Sequence, residues 1–216
     1  MGDMSNWPFG FIDDSPPSQR LEKRIVAFAG RNGCGKETAA KWSARVLAAR
    51  SHTYSDVLVE TFGLWLTRKT TRPEQQALST FMRQLLGEDA MAIVMVKKCL
   101  EAPSSHVVID GVRRLEDIDL LCREFGSRSV HLGWIETAAN VRYERLKARK
   151  AKGGEQFMTW EEFLVQEAAE TEQRLDVVRA SCAFEIDNNA PIDDSGVPAQ
   201  MFLQLERTLK ERHVMS

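Results

Sequence analysis

The stretch RIVAFAGRNGCGKETAA, residues 24–40, decides how this chain is read. RIVAFA (24–29) is rich in large apolar residues and ends at glycine, the pattern of a strand buried on both faces of a parallel sheet. Gly30 and Gly35 then bracket four residues, Lys36 follows, and KETAAKWSARVLAAR (36–50) sets Ala39, Trp42, Val46 and Leu47 at helical spacing. A glycine loop followed by lysine, between a strand and a helix, is suited to holding phosphate. Glycine permits the backbone to turn N–H groups inward. The following helix adds unpaired N–H groups and a positive dipole end. Lys36 brings a mobile point charge to the β- and γ-phosphates. The competing reading, a strand-to-helix turn with a lysine by chance, leaves Gly33 and the spacing unexplained. The loop residues expected to bind the nucleotide are Gly30, Arg31, Asn32, Gly33, Cys34, Gly35, Lys36, Glu37 and Thr38.

Glu37 stands where the general pattern has a hydroxyl, and Thr38 supplies one a residue later. Two readings of Glu37 remain open: a carboxylate on the metal side, or a negative charge in the first helical turn. Cys34, inside the loop and close to Lys36, sits where thiol pKa is lowered, so a reactive cysteine protected by ATP is expected.

The rest of the chain alternates short apolar runs with helical stretches. Strands are expected near His52–Tyr54 and at HVVID (106–110), SVHLGWIE (129–136) and CAFEID (182–187). Between them lie a helical region, about 55–102, broken near Arg72–Pro73 and Gly87, and helices at 115–125 and 140–150. Thr159 and Glu162 form a capping box that opens a helix to about Ala180, and 199–212 reads as a closing helix. Strands separated by helices imply βαβ units and a parallel sheet, with chemistry at the carboxyl ends of the strands. Residues 1–20, with three prolines and no period, read as an arm, and 21–216 as one domain.

Composition narrows the function classes. The net charge of −2 offers no basic footprint for duplex nucleic acid, which makes such a partner a disfavoured reading. No apolar run is long enough to span a membrane. Four scattered cysteines without a CxxC pair argue against a zinc site or disulfide framework, and a cytoplasmic location is expected.

Asp110 ends an apolar strand, where a second carboxylate is expected to hold Mg²⁺ through its waters; a capping Asp is the alternative. Arg113 and Arg114 follow, and one of the two is expected to grip an acceptor phosphate. Arg68, Arg72 and Arg83 occupy the region that would cover the acceptor, with a solvated helix charge as the other reading of each. Arg145 and Arg149 lie in a charge run ahead of Gly153–Gly154, as a closing lid requires, with Arg174 on the returning helix.

The form Gly30-x-x-Gly33-x-Gly35-Lys36-x-Thr38 resembles nucleoside monophosphate kinases and dephospho-CoA kinases. VVIDGVRRLEDIDLL (107–121), RYERLKARK (142–150), TWEEF (159–163) and AFEIDNN (183–189) resemble an uncharacterised dephospho-CoA-kinase-like group of archaea and bacteria. The resemblance covers about residues 24–210. It implies a P-loop NTPase fold: a three-layer α/β/α domain with a five-stranded parallel sheet, a helical acceptor-binding region (about 55–102) and a lid (about 145–175). It implies ATP and Mg²⁺ as cofactors and phosphoryl transfer to a small nucleotide-like substrate. It also implies that Asp56 takes the acceptor's proton, that Arg83 matches an acceptor-side arginine, and that Asn188 and Asn189 lie along the adenine. An Asx turn is the other reading of that pair. A modified base or hydroxyl in DNA or RNA as acceptor, and a nucleotide-dependent switch, are the alternative functions.

Overall fold

The structure, a computed structural model, describes residues 23–148, 158–168, 170–190 and 198–215. The expected N-terminal arm, Arg149, Gly153–Gly154 and Pro191 lie outside the described residues.

Five strands form one sheet: β1 (Arg24–Ala29), β2 (Arg50–Thr53), β3 (His106–Val112), β4 (Val130–Glu136) and β5 (Phe184–Asp187). All pairings are parallel and the order is β2-β3-β1-β4-β5. β1 is central, and its residues Ile25 to Ala29 are fully buried, as its uninterrupted apolar composition demands. Helices α1 (Lys36–Val46) and α9 (Ala199–Glu211) cover one face. Their Ala39, Ala40, Met201 and Leu205 pack on Val26, Phe28, Val108 and Ile135. The other face carries α2 (Tyr54–Gly63), α4 (Ala90–Glu101), α5 (Leu115–Phe125) and α8 (Glu170–Ala180) around Ile25, Ala27, Val107, Ile109 and Trp134. The expected P-loop α/β/α architecture is therefore present. Among the described residues, no helix is long and apolar enough to cross a membrane.

One local expectation is met and two change. The helical region is broken as expected, before Arg72 and at Gly87, and Pro73 helps start α3 (Arg72–Leu86), whose first turn is closed by a Thr71–Glu74 capping box. Proline is tolerated there because a first-turn N–H has no intrahelical acceptor. The first helix stops at Val46, and Val46 itself is 39% exposed. The expected helix to Ala180 is two, α7 (Trp160–Glu167) and α8. Phe163 of α7 joins a satellite cluster with Leu146, Met158 and Tyr143, whereas Leu175 and Val178 of α8 enter the sheet core. One straight helix would not serve both cores.

Candidate active site

The loop between β1 and α1 emerges at the carboxyl edge of the sheet and is tied down from outside. The Cys34 carbonyl accepts from Asn188 Nδ2 at 2.8 Å and from Thr137 Oγ1 at 3.0 Å. The Asn32 carbonyl accepts from Arg142 Nη1 at 3.2 Å, and Lys36 Nζ donates to the Arg31 carbonyl at 3.2 Å. Gly33 and Gly35 hold φ of 80° and 95°, between residues of negative φ, which is the alternation that turns successive N–H groups into an anion-binding nest. Each also has a steric reason to be glycine. A Cβ at Gly33 would lie 2.9 Å from the Arg142 carbonyl, and one at Gly35 would lie 2.4 Å from Asn188 Nδ2. Helix α1 begins with no side-chain cap, and its Lys36 backbone N–H is turned to the Cys34 sulfur.

Arg142 anchors this arrangement. It sits on α6 (Ala139–Ala148) and is 3% exposed. Besides Asn32 it donates to the Thr137 carbonyl at 2.9 Å and to Glu167 of α7 at 2.5 Å. Glu167 also faces Arg31 at 3.9 Å, and Arg31 pairs with Asp176 of α8 at 2.8 Å. The phosphate loop and the helices of the expected lid region are thus joined by one charge network.

Asp110 lies two residues before the end of β3, 8% exposed, in register with Phe28 of β1 and Thr53 of β2. Its field reaches the Cys34 thiol. Thr38 is exposed on the first turn of α1. Glu37 points along the helix surface and pairs with Lys41 at 2.8 Å, the geometry of a first-turn helix charge.

Cys34 requires a correction. It is fully buried, and burial pushes its thiol above the ordinary value while Lys36 works in the opposite direction. A loop cysteine turned into the core meets desolvation first, so the expected reactive thiolate is not formed. The neighbourhood of Lys36 was legible in sequence, but the direction of the side chain was not.

The structure puts the other expected site residues in varied settings. Arg145 Nη2 donates to the carbonyls of Asn188 (3.0 Å) and Ala190 (3.4 Å). Its Nη1 is buried, without a hydrogen-bond partner among the described residues. Asn188 is 4% exposed and turned to the loop. Asn189 Oδ1 accepts from Ala138 N at 2.7 Å, and its own N–H bonds Asp187 in an Asx turn. Asp56 closes a capping box with Thr53 at the start of α2. Arg68 forms a bidentate pair with Glu74, Arg114 pairs with Glu88, and Arg72 opens α3. Arg113 is half-buried and Arg174 is exposed. Trp65 and Phe81, aromatic residues of the helical region, are 74% and 56% exposed.

Arg83 is different: it is 9% exposed and lies 3.7 Å from Asp117, which is 2% exposed. Burial pushes the Asp117 carboxyl up to about 6 and lowers Arg83, so desolvation of both outweighs their mutual attraction. Tyr54, packed beside them, has its hydroxyl raised by burial first and by Asp117 next. The sequence reading missed Arg142, Thr137, Tyr54 and Asp117. For Asp117 a signal existed, because it falls on the same helical stripe as Leu121.

The glycine nest, the uncapped helix, Lys36 and an Asp near the end of the adjacent parallel strand define a P-loop NTPase fold of the kinase-like kind. No family model matches the chain. A UPF0200 protein of Thermococcus kodakarensis is 31% identical over 170 residues, covering 76% of this chain and 88% of the relative. One of Thermococcus onnurineus is 29% identical over 175 residues, covering 79% and 91%. The chain belongs to the UPF0200 family. Among solved structures, shikimate kinase from Bacteroides thetaiotaomicron matches at TM-score 0.55 and 13% identity, over 87% of this chain and 97% of that one. Shikimate kinase from Aquifex aeolicus matches at 0.52 and 12%, over 89% and 99%. These two are likenesses of fold.

Proposed function

We propose that this protein transfers the γ-phosphoryl group of ATP to a small acceptor, a nucleotide or nucleotide-like metabolite, as nucleoside monophosphate and dephospho-CoA kinases do. The observation that carries the reading is the loop: glycines in left-handed conformation, a helix without a cap, and Lys36 held across the cradle by the Arg31 carbonyl. Lys36 exchanges that carbonyl for phosphate oxygens when nucleotide arrives. Arg145, whose Nη1 is buried beside the loop without a partner among the described residues, carries the guanidinium best placed to add positive charge. Arg149 would act with it from the lid.

The donor set suits Mg²⁺, which prefers hard oxygen ligands and keeps several waters. Thr38 and Asp110 would hold it, and Glu37, paired with Lys41, is the other carboxylate beside the loop. Bound there, Mg²⁺ neutralises charge on the phosphates. The acceptor oxygen, a phosphate oxygen in a nucleoside monophosphate or a hydroxyl oxygen in a metabolite of the dephospho-CoA kind, forms the new bond to the γ-phosphorus. The bond to the β–γ bridging oxygen breaks and its electron pair stays on the nucleoside diphosphate. Where the acceptor is a hydroxyl, its proton passes to an acceptor-side base, for which Asp56, exposed after β2, is the candidate.

The test is label transfer from γ-labelled ATP·Mg²⁺ to nucleoside monophosphates, dephospho-CoA and oligonucleotides. Transfer to a small acceptor that is lost in Lys36→Ala supports the reading. Label moving only to oligonucleotides, or released only as inorganic phosphate, overturns it in favour of a nucleic-acid kinase or a switch. Full transfer by Lys36→Ala would sink the site assignment.

A further inference from the structure

Asn188 directly follows β5, the strand at one edge of the sheet. It is 4% exposed, and its backbone N–H bonds the Glu136 carbonyl of β4 at 2.9 Å, so the sheet sets its position. Its side chain crosses to the phosphate loop, where Nδ2 donates to the Cys34 carbonyl at 2.8 Å. Thr137 Oγ1 lies 3.0 Å from the same carbonyl, but a hydroxyl has one proton and the Glu136 carbonyl stands closer, at 2.7 Å. The Asn188 amide supplies the bond that Thr137 has to share.

The direction of that carbonyl fixes the direction of a donor. Among the described residues no peptide is cis. In a planar trans unit the C=O of one residue and the N–H of the next point opposite ways. With the Cys34 carbonyl drawn to Asn188, the Gly35 N–H points away from it. Asn188 Nδ2 also fills the space beside Gly35, 2.4 Å from where a Cβ would stand, and so blocks that side against rotation of the unit. Arg142 Nη1, on the Asn32 carbonyl, sets the Gly33 N–H by the same rule. Two N–H groups of the nest are aimed from outside the loop, and a nest attracts an anion only while its N–H groups converge.

The neighbouring polar groups are committed as well. Asn189 Oδ1 accepts from Ala138 N at 2.7 Å, and its Nδ2 donates to Asp187 Oδ1. The carbonyls of Asn188 and Ala190 accept from Arg145 Nη2 at 3.0 and 3.4 Å. An amide that reads a base edge turns both a donor and an acceptor to it. Here the Nδ2 groups of both asparagines, and Oδ1 of Asn189, are bonded within the protein.

We propose that Asn188 is a positioning residue of the phosphate loop. It aims the Gly35 N–H at a phosphate of the bound triphosphate, and the Asn188–Asn189 pair serves the loop instead of reading the base. The inference rests on the loop holding the phosphates of ATP, the reading proposed above.

The probes are ATP, GTP and inorganic tripolyphosphate, each with Mg²⁺, titrated into the full chain by calorimetry well below its melting temperature. Asn188→Ala is expected to weaken all of them about tenfold, the value of one hydrogen bond, with the ratio of ATP to tripolyphosphate affinity constant within about twofold. Asn188→Asp keeps the side-chain shape and loses the donor. Its added charge acts on every triphosphate alike, so that ratio stays the readout and is expected not to move. A loss that spares GTP or tripolyphosphate overturns the proposal and makes Asn188 a reader of the base. A lower melting temperature with every affinity unchanged also overturns it and leaves Asn188 a purely structural residue. If the unaltered chain binds none of the probes, the phosphate reading of the loop fails and takes this inference with it. If the probes bind and weaken together but no label leaves ATP for an acceptor, the positioning role stands and the kinase reading fails.

Discussion

Replacing Arg142 by Met tests whether the phosphate loop is held by the network around that residue. The substitution keeps much of the volume and removes three donors. Their partners are the Thr137 carbonyl at 2.9 Å, the Asn32 carbonyl at 3.2 Å and Glu167 at 2.5 Å. It also removes the guanidinium lying 5.4 Å from the Phe163 ring centroid. Removing one partner of a buried ion pair costs roughly 3–5 kcal/mol. Glu167 keeps 14% exposure and has Arg31 at 3.9 Å, so water and a second cation offset part of the loss. The expected cost is therefore at the lower end, about 3 kcal/mol. For a domain of this size that is a fall in melting temperature of roughly 6–12 °C. Urea denaturation is expected to show a lower midpoint at unchanged slope. Because the Asn32 carbonyl is released, affinity for a non-hydrolysable ATP analogue is expected to fall as well. A Glu167→Gln variant and the double variant complete a cycle, with a coupling of about 1.5 kcal/mol or more. A cost below about 1 kcal/mol for Arg142→Met, or additive behaviour in the cycle, would falsify the claim that this network holds the loop.

Three further outcomes follow from buried groups. Native-state alkylation with iodoacetamide, mapped by mass spectrometry, is expected to leave Cys34 almost unmodified and to speed up sharply in denaturant; rapid labelling of Cys34 would contradict its burial. The Asp117 carboxyl, ordinarily near 3.8, stands at about 6 in the fold, so between about pH 4 and 6 the folded chain holds a proton the unfolded chain has released. Stability from this group is present below about pH 4 and lost as pH rises through about 6, by roughly 3 kcal/mol. Asp117→Asn is expected to remove that slope from chemical denaturation curves, and an unchanged slope would locate it elsewhere. Gly35→Ala adds a Cβ 2.4 Å from Asn188 Nδ2 at φ 95°, whereas Gly111→Ala at φ 86° meets open space. The second is expected to cost about 1–2 kcal/mol of backbone strain and the first clearly more; equal costs would show that Asn188 is not clamped on the loop.

The strand–loop–helix unit, the alternation of strands and helices and the parallel sheet were legible in sequence because they rest on short-range rules. Apolar runs, helical spacing, capping residues and glycine spacing all act within a few positions. Lys36 and Asp110 were legible for the same reason, each being marked by the element that ends or begins beside it. The directions of side chains, and which distant residues meet, belong to packing. Sequence placed Cys34 beside a helix N-terminus, and only the fold turned it into the core, where desolvation reverses its expected pKa. Asn188 and Arg142 come from elements more than a hundred residues beyond the loop they hold, so no local pattern ties them to it. The buried Arg83–Asp117 pair, with Tyr54 within reach of the Asp117 charge, exists because three helices converge. Each residue alone reads as an ordinary helix position, and their burial together is a property of the tertiary structure.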